Sequence, residues 1–493
     1  MSYIPTIGLE IHAELKTATK MFCGCKNDPD EKHPNINVCP VCLAHPGTLP
    51  VPNREAIEAI LKIGMAVGGD LPAKSKFDRK SYFYPDLPKG YQISQYDQPL
   101  VVGGRLAGVR LTRVHLEEDT GRLLHGEQTN NDNDNDSKKE SHRQKSSSSF
   151  SLVDFNRAGV PLMELVTEPD VKDADQAVEF ARELQLILRY LGSSDADMEK
   201  GQMRVEANIS IKPLATSDSP LGTKVEVKNI NSFKAAHDAI EYEIKRQTEI
   251  LDRGEAVMQE TRGWDENKGE TFSQRSKESA HEYRYFSEPD IPPLDLSKFD
   301  LTALKRSIPE LPAAKRTRFA KEFGLKPEQV EILIADREAA AFFEAAVSEL
   351  KTEDPAAKNG EIQLLINYLV HDLRGLMAAQ GIGFAQLKLT AENFIDLIEL
   401  VAHGKINSRT AKDLLARMVE RGGDPNEIMR DENLAQVSDE GELTLLAQKL
   451  MTAHLAVAAD YRRGKTNALQ FFVGKAMAEL KGKGNPQVLQ KIF

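Results

Sequence analysis

Apolar and polar residues alternate from Ile7 to Leu15. Ile7, Leu9, Ile11, Ala13 and Leu15 fall on one side, and Glu10, His12 and Glu14 on the other. A period of two sends successive side chains to opposite faces, so this segment predicts a strand with one apolar and one ionisable face. Shorter alternations at Arg204–Ile209 and Lys224–Lys228 predict further strands, with Glu206 and Glu226 set between apolar neighbours. Val109–Leu116 reads as another strand. Elsewhere the period changes. Val178, Ala181, Leu184, Leu188 and Leu191 recur at helical spacing, and Gly192 follows as a C-terminal stop. A second helix is predicted from Phe233 to about Asp252, capped by Asn231 or Ser232, with Gly254 beyond its end.

The Pro-rich stretch Glu288–Pro293 marks a boundary. From about Leu301 the chain is rich in Ala, Leu, Glu and Lys at helical spacing, and Asp354–Gly360 reads as a loop between helices. The expected fold is α+β: a mixed-sheet domain over 1–294, a helical connection over 295–343 and an all-helical tail over 344–493. Gln128 to Ser149 contains no apolar residue. Such a segment cannot bury enough surface to offset its ordering entropy, and it predicts a disordered surface insertion.

Length changes this picture little: 493 residues at about 150 per domain suggest three domains. Charge changes it more. Lys and Arg total 64 against 75 Asp and Glu, a net −11 that disfavours a bulk polyanion binder. The last segment departs from that average. Between Asp460 and Phe493, seven basic residues (Arg462, Arg463, Lys465, Lys475, Lys481, Lys483 and Lys491) face two acids (Asp460 and Glu479), a local +5. This basic patch is a candidate phosphate contact, with a solvated helical face as the plainer reading. No apolar run approaches the ~20 residues needed to span a bilayer, and the start, Met1-Ser2-Tyr3-Ile4-Pro5, lacks a basic or long apolar leader. A soluble, cytoplasmic protein that avoids membranes is the expectation.

Four cysteines occur in two close pairs, Cys23-Gly24-Cys25 and Cys39-Pro40-Val41-Cys42. Two such pairs are what a tetrahedral zinc site needs, and four ligands leave no open position, so the site would be structural. Free thiols or a disulfide are the alternatives. The face carrying Glu10, His12 and Glu14 suits a hard divalent cation or acid–base work, or is an ordinary solvent face. In His115-Leu116-Glu117-Glu118-Asp119 the adjacent acids point to opposite faces, so Glu117 and Glu118 play different roles. Glu164 lies inside the apolar run Pro161–Val166, where a carboxylate is costly unless paired or metal-bound. Asp78–Tyr91 is an aromatic and basic loop suited to base stacking or to simple packing. No phosphate-loop, dinucleotide-binding or nucleophile-elbow motif is present, so any nucleotide is held another way.

Several blocks carry a resemblance. Ile7-Gly8-Leu9-Glu10-Ile11-His12, Lys76–Asp86, Tyr91–Tyr96, Leu116-Glu117-Glu118-Asp119, Val153–Pro161, Val227–Ser232, Tyr283-Arg284-Tyr285-Phe286 and Lys481–Pro486 follow one another as they do in the B subunit of the tRNA-dependent amidotransferase. The chain resembles that family over nearly its whole length. The resemblance implies a catalytic cradle domain followed by a tail domain that contacts the tRNA body. It implies phosphorylation by ATP of the side-chain carboxylate of Glu-tRNA(Gln) or Asp-tRNA(Asn), followed by displacement of phosphate by ammonia. The ammonia comes from glutamine hydrolysed in an amidase A subunit, and a small C subunit clamps A and B together.

By the same resemblance, His12, Glu117 and Glu164 bind magnesium, while Glu10, Glu118 and Glu206 are outer-sphere or second-metal candidates. Glu118, Lys228 and Asn229 are candidates for the ammonia path or the acyl-phosphate pocket. Cys23, Cys25, Cys39 and Cys42 hold structural zinc, and Arg462, Arg463, Lys465, Lys481 and Lys483 contact tRNA. A non-catalytic tRNA-binding scaffold of the same assembly is the second reading. The polar insertion is a departure, since the family usually has a short turn there.

Overall fold

The computed structural model describes residues 3–128, 148–214, 221–276, 283–352, 354–432, 439–463, 465, 467–480 and 484–493. The chain divides into two compact units, 1–312 and 313–493.

The first unit is built on a sheet that has nine strands among the described residues. In chain order these are β1 (Tyr3–Glu14), β2 (Val101–Val102), β3 (Arg105–Leu106), β4 (Val109–Glu118), β5 (Pro161–Thr167), β6 (Met203–Pro213), β7 (Val225–Ile230), β8 (Glu260–Asp265) and β9 (Glu270–Ser276). Across the sheet the order is β9-β8-β7-β6-β1-β5-β4-β2, with β3 paired to β4. All pairs are antiparallel except β7 with β8, so the sheet is mixed. The strand with the cleanest alternation, β1, lies in the middle. Its apolar residues Ile7, Leu9, Ile11 and Ala13 are fully buried in the main core.

Three helices share that core: α1 (Arg54–Ala66), α2 (Ala174–Tyr190) and α3 (Phe233–Asp252). Each starts at a side-chain cap, Asn53, Asp173 or Ser232, whose oxygen accepts a backbone N–H of the first turn. Ser232, rather than Asn231, is therefore the cap of α3. Gly192 follows α2 with φ +66°, the left-handed geometry that a helix stop asks of glycine.

In β4 the alternation slips. Val109 and Leu111 are core residues, and so are Val114 and Leu116. The cause is a bulge: Val166 pairs with Arg113 but Thr167 pairs with Leu111, leaving Thr112 as the extra residue. Beyond it His115 and Glu117 point away from the core, onto the face that already carries His12.

A small ribbon of Asp78–Ser81, Tyr91–Ser94 and Phe286–Ser287 contributes residues beside that face. A hairpin pairs Arg122–Gln128 with Ser148–Asp154. Of the predicted insertion, Gln128, Ser148 and Ser149 therefore belong to strands, and 129–147 lie outside the described residues. Phe299, Leu301 and Leu304 pack on the core of the first unit. Among the described residues the second unit has only helices as its regular elements, from Pro312–Phe323 to Pro486–Ile492. One turn, Tyr368–Leu373, is a π-helix. Its last helices gather around Leu443, Phe472, Ala476 and Leu489.

Candidate active site and metal centres

The ladder of the central sheet aligns three ionisable side chains in a row. His12 on β1 is the Cα partner of Glu164 on β5, and Glu164 is the Cα partner of His115 on β4. His12 Nε2 lies 3.4 Å from Glu164 Oε2, and His115 Nε2 lies 3.4 Å from the same oxygen. Glu117, one step along β4, stands 3.9 Å from His12 Nε2. Donor atoms of His12, Glu117 and Glu164 all lie within 4.8 Å of one another. Hard carboxylate oxygens with one imidazole make a donor set that fits a divalent cation.

A second acidic group lies on the other side of β1. Glu10 is the Cα partner of Glu206 on β6, and their carboxylates approach that of Glu226 on β7 to within 4.8 Å. Lys228 Nζ sits 2.8 Å from Glu206 and 3.7 Å from Glu226, and Asn208 donates to Glu10 at 2.9 Å. Both groups line one cleft of about 400 Å³, together with Lys80, Arg113 and Arg204. A wider hollow of about 860 Å³ shares Lys80, Tyr82 and Lys228 with it and carries Phe83 and Tyr84. Tyr82 and Tyr283 meet edge-on at 6.1 Å, and Tyr96 stacks on Tyr285 at 4.4 Å.

The electrostatics follow from burial and neighbours. Burial by itself would raise the Glu164 carboxyl, but His115 and His12 beside it hold it well below the usual carboxylate range. Glu117 is lowered too, with burial opposed by the Lys80 ammonium. It accepts hydrogen bonds from Ser94 Oγ at 2.6 Å and Gln92 Nε2 at 3.0 Å. Burial opposes the charged form of His12, yet Glu164 outweighs it and the imidazole is raised. Glu10 is raised by burial and by Glu164, Glu206 and Glu226. Lys80 and Lys228 are half-buried, and desolvation opposes their charge, yet both are raised, by Glu117 and by Glu206 respectively. Further along β1, burial and the Asp119 carboxylate push Glu14 up to about 8.

Residues 5–301 match the GatB/GatE catalytic domain and residues 342–493 match the GatB domain. This chain belongs to the GatB/GatE family. It is 44% identical over its full length to the B subunit of the aspartyl/glutamyl-tRNA(Asn/Gln) amidotransferase of Thermomicrobium roseum, covering 98% of that protein. The B subunit of the same name from Dehalococcoides mccartyi is 42% identical over the full chain and 98% of its own length. That of Rippkaea orientalis is 40% identical over 99% of this chain and 97% of its own length.

The catalytic domain of this GatB/GatE chain thus contains the whole cleft and all four cysteines. Cys23, Cys25, Cys39 and Cys42 are free, and their sulfurs lie within 4.8 Å of one another. Cys39 and Cys42 Sγ are 3.9 Å apart. A tetrahedron with bonds of about 2.3 Å has edges of about 3.8 Å, so the spacing fits zinc.

Glu118 does not join the cleft. It takes the opposite face of β4, where Lys89 Nζ reaches it at 2.6 Å and the Ile93 N–H at 3.0 Å, beside a hollow of about 250 Å³ next to Cys23 and Cys42. The expected separation of Glu117 from Glu118 is therefore what the strand produces. Asn229 adopts φ +63° and donates to Trp264 O at 3.1 Å, away from the cleft lining. In the GatB domain, Arg462, Arg463 and Lys465 are exposed, and Arg463 and Lys465 contact Asp460 at 2.8 and 3.1 Å. Lys481 and Lys483 lie outside the described residues. No described helix is long and apolar enough to cross a membrane.

Sequence reasoning missed His115, Lys80, Arg113, Arg204 and Glu226 as site residues. Three of them carried a signal, because His115 precedes Glu117, Arg204 precedes Glu206, and Glu226 precedes Lys228, by one strand period. Lys80 and Arg113 reach the cleft through pairings that no local pattern announces.

Proposed function

We propose that this chain is the B subunit of a tRNA-dependent amidotransferase, and that its cleft activates and amidates the side-chain carboxylate of Glu-tRNA(Gln), Asp-tRNA(Asn) or both. One observation carries the reading: His12, Glu117 and Glu164 converge on one point of a cleft that also presents Lys80 and Arg113. Phosphoryl transfer needs concentrated positive charge around the phosphates. A magnesium ion held by His12, Glu117 and Glu164 would supply part of that charge. Lys80 and Arg113 would supply more from the walls and orient the anions.

The chemistry balances simply. A carboxylate oxygen of the aminoacyl group attacks the γ-phosphorus of ATP, the bond to the bridging oxygen breaks, and ADP leaves. Ammonia then adds to the acyl carbon, phosphate departs, and the surplus proton passes to a base. Glu10 and Glu206, on the wall of the same cleft, are the candidate bases, and Lys228, 2.8 Å from Glu206, would hold that carboxylate. Asn229 and Glu118 line no part of the cleft, so they are not placed to act in it directly.

Phe83, Tyr84 and the edge-on tyrosines Tyr82 and Tyr283 suit stacking of the acceptor end, and Arg462, Arg463, Lys465, Lys481 and Lys483 suit backbone phosphates. The ammonia would come from glutamine through an amidase A subunit, with a small C subunit completing a cytoplasmic heterotrimer. The four cysteines would hold structural zinc.

The test is transamidation with the assembled complex, ATP, magnesium, ammonium and Glu-tRNA(Gln), which bypasses glutamine hydrolysis. The expected result is Gln-tRNA from the native complex. His12→Ala should abolish product while retaining tRNA binding. Unchanged turnover in His12→Ala would favour the second reading, a tRNA-binding scaffold whose acids are structural.

A further inference from the structure

We infer that His115 is a positioning residue for the divalent ion, holding Glu117 and Glu164 in their ligating orientation through its Nε2–H. The inference rests on the metal-site reading above. His115 is fully buried, with 1% of its surface exposed. Its Nε2 is 3.4 Å from Glu164 Oε2 and 3.6 Å from Glu117 Oε1, so one imidazole nitrogen faces both carboxylates. Its other nitrogen, Nδ1, is buried and has no hydrogen-bond partner among the described residues.

Those two facts determine where the proton sits. A proton on Nδ1 alone would bury a donor with no acceptor and aim a lone pair at two carboxylates. Both consequences are costly. Neutral or protonated, the ring therefore carries a proton on Nε2 and presents it to the acids.

The surroundings show why such a donor is needed. Oε2 of Glu164 lies between His12 and His115, while Oε1 has Arg113 near it, at 3.7 Å. Glu117 is held by Ser94 and Gln92 and stands 3.8 Å from Lys80. Among the described residues, no neutral side-chain donor comparable to Ser94 or Gln92 holds Glu164, so the two histidines govern its orientation. His12 is committed to the cleft as a candidate ligand. That leaves His115 to fix the carboxylate from behind, from a strand position directly opposite Glu164. Donors behind ligating groups typically change metal affinity 10–100-fold when removed.

The test uses Mn²⁺ as the probe, with the free ion read by electron paramagnetic resonance on the full chain in its assembled complex. His115→Leu removes the donor and keeps bulk. His115→Gln restores an N–H near the position of Nε2. The expected result is a Kd for Mn²⁺ about 10–100-fold higher in His115→Leu and within about threefold of native in His115→Gln. In turnover, His115→Leu should need more magnesium for half-maximal rate, with KM for tRNA unchanged and kcat recovered at saturating magnesium. Native-like Mn²⁺ binding in His115→Leu would overturn the inference. So would His115→Gln binding as weakly as His115→Leu. If His115→Leu does not fold, His115→Met takes its place as the donor-free variant beside His115→Gln, with the same outcomes deciding. His12→Ala separates this inference from the reading beneath it. If His12→Ala binds Mn²⁺ normally, the metal site itself is wrong and the inference falls with it. If His12→Ala is weakened and His115→Leu is not, only the role of His115 falls.

Discussion

His12 and Glu164 are separated by most of the first half of the catalytic unit, yet they are direct partners across β1 and β5, with Nε2 and Oε2 3.4 Å apart. Pairing of two strands creates this contact, and with it the centre of the cleft. Glu164→Gln keeps the shape of the side chain and removes its charge. It should lower kcat by at least about 100-fold, comparable to the loss of one preorganised electrostatic group, while tRNA affinity changes little. A filter-binding assay beside single-turnover amidation separates the two effects. Equal losses in binding and rate would mean that the acid serves the fold.

Zinc is the second prediction. Purified protein should carry about one zinc per chain by elemental analysis. Strong chelation should lower the midpoint of thermal unfolding, because metal bound only by the folded state stabilises it. Cys42→Ser should reproduce both effects. Metal-free protein with native stability would leave the cysteines as plain thiols.

The third concerns pH. Burial and Asp119 hold the Glu14 carboxyl near 8, against an ordinary value of 4.5. The folded state thus binds this proton more tightly than the unfolded state. Its stabilising effect is complete below about pH 4.5 and is lost as pH rises towards 8. Glu14→Gln cannot ionise and avoids that loss. It should match native stability near pH 4.5 and exceed it at pH 8, by an amount on the order of 4 kcal/mol, since each tenfold change in proton affinity is worth about 1.4 kcal/mol. Denaturant titrations at the two pH values would show it. A constant difference between the proteins would contradict the assignment.

The last concerns the tail. Lys481→Glu combined with Lys483→Glu should raise KM for tRNA and flatten its salt dependence. Each lost phosphate contact removes roughly 0.7–0.9 from the slope of log affinity against log salt. An unaltered slope would make this patch a solvated face.

The two-faced pattern of β1 was legible from Ile7 to Leu15, and with it the exposure of Glu10 and His12 on the chemical face. The opposite orientations of Glu117 and Glu118 followed from strand parity alone. The stop at Gly192 after α2, and the start of α3 to within Asn231 or Ser232, were also readable, because caps are local chemistry. His115 was harder. Its place on the open face depends on the bulge at Thr112, and its importance depends on Glu164 lying directly opposite. Two basic residues of the cleft, Lys80 and Arg113, sit on different segments, and their own neighbours in sequence do not distinguish them from solvated charges.

The sequence by itself determined which residues would share a face of β1, where α2 stops, that four cysteines form two close pairs, and which family the blocks resemble. These are properties of period, spacing and local hydrogen bonding. Tertiary structure decided that β1 sits between β5 and β6. That order brings His12 to Glu164 and Glu10 to Glu206. Strand pairing joins segments distant along the chain, and its energy comes from burying whole faces together, so no local pattern contains it.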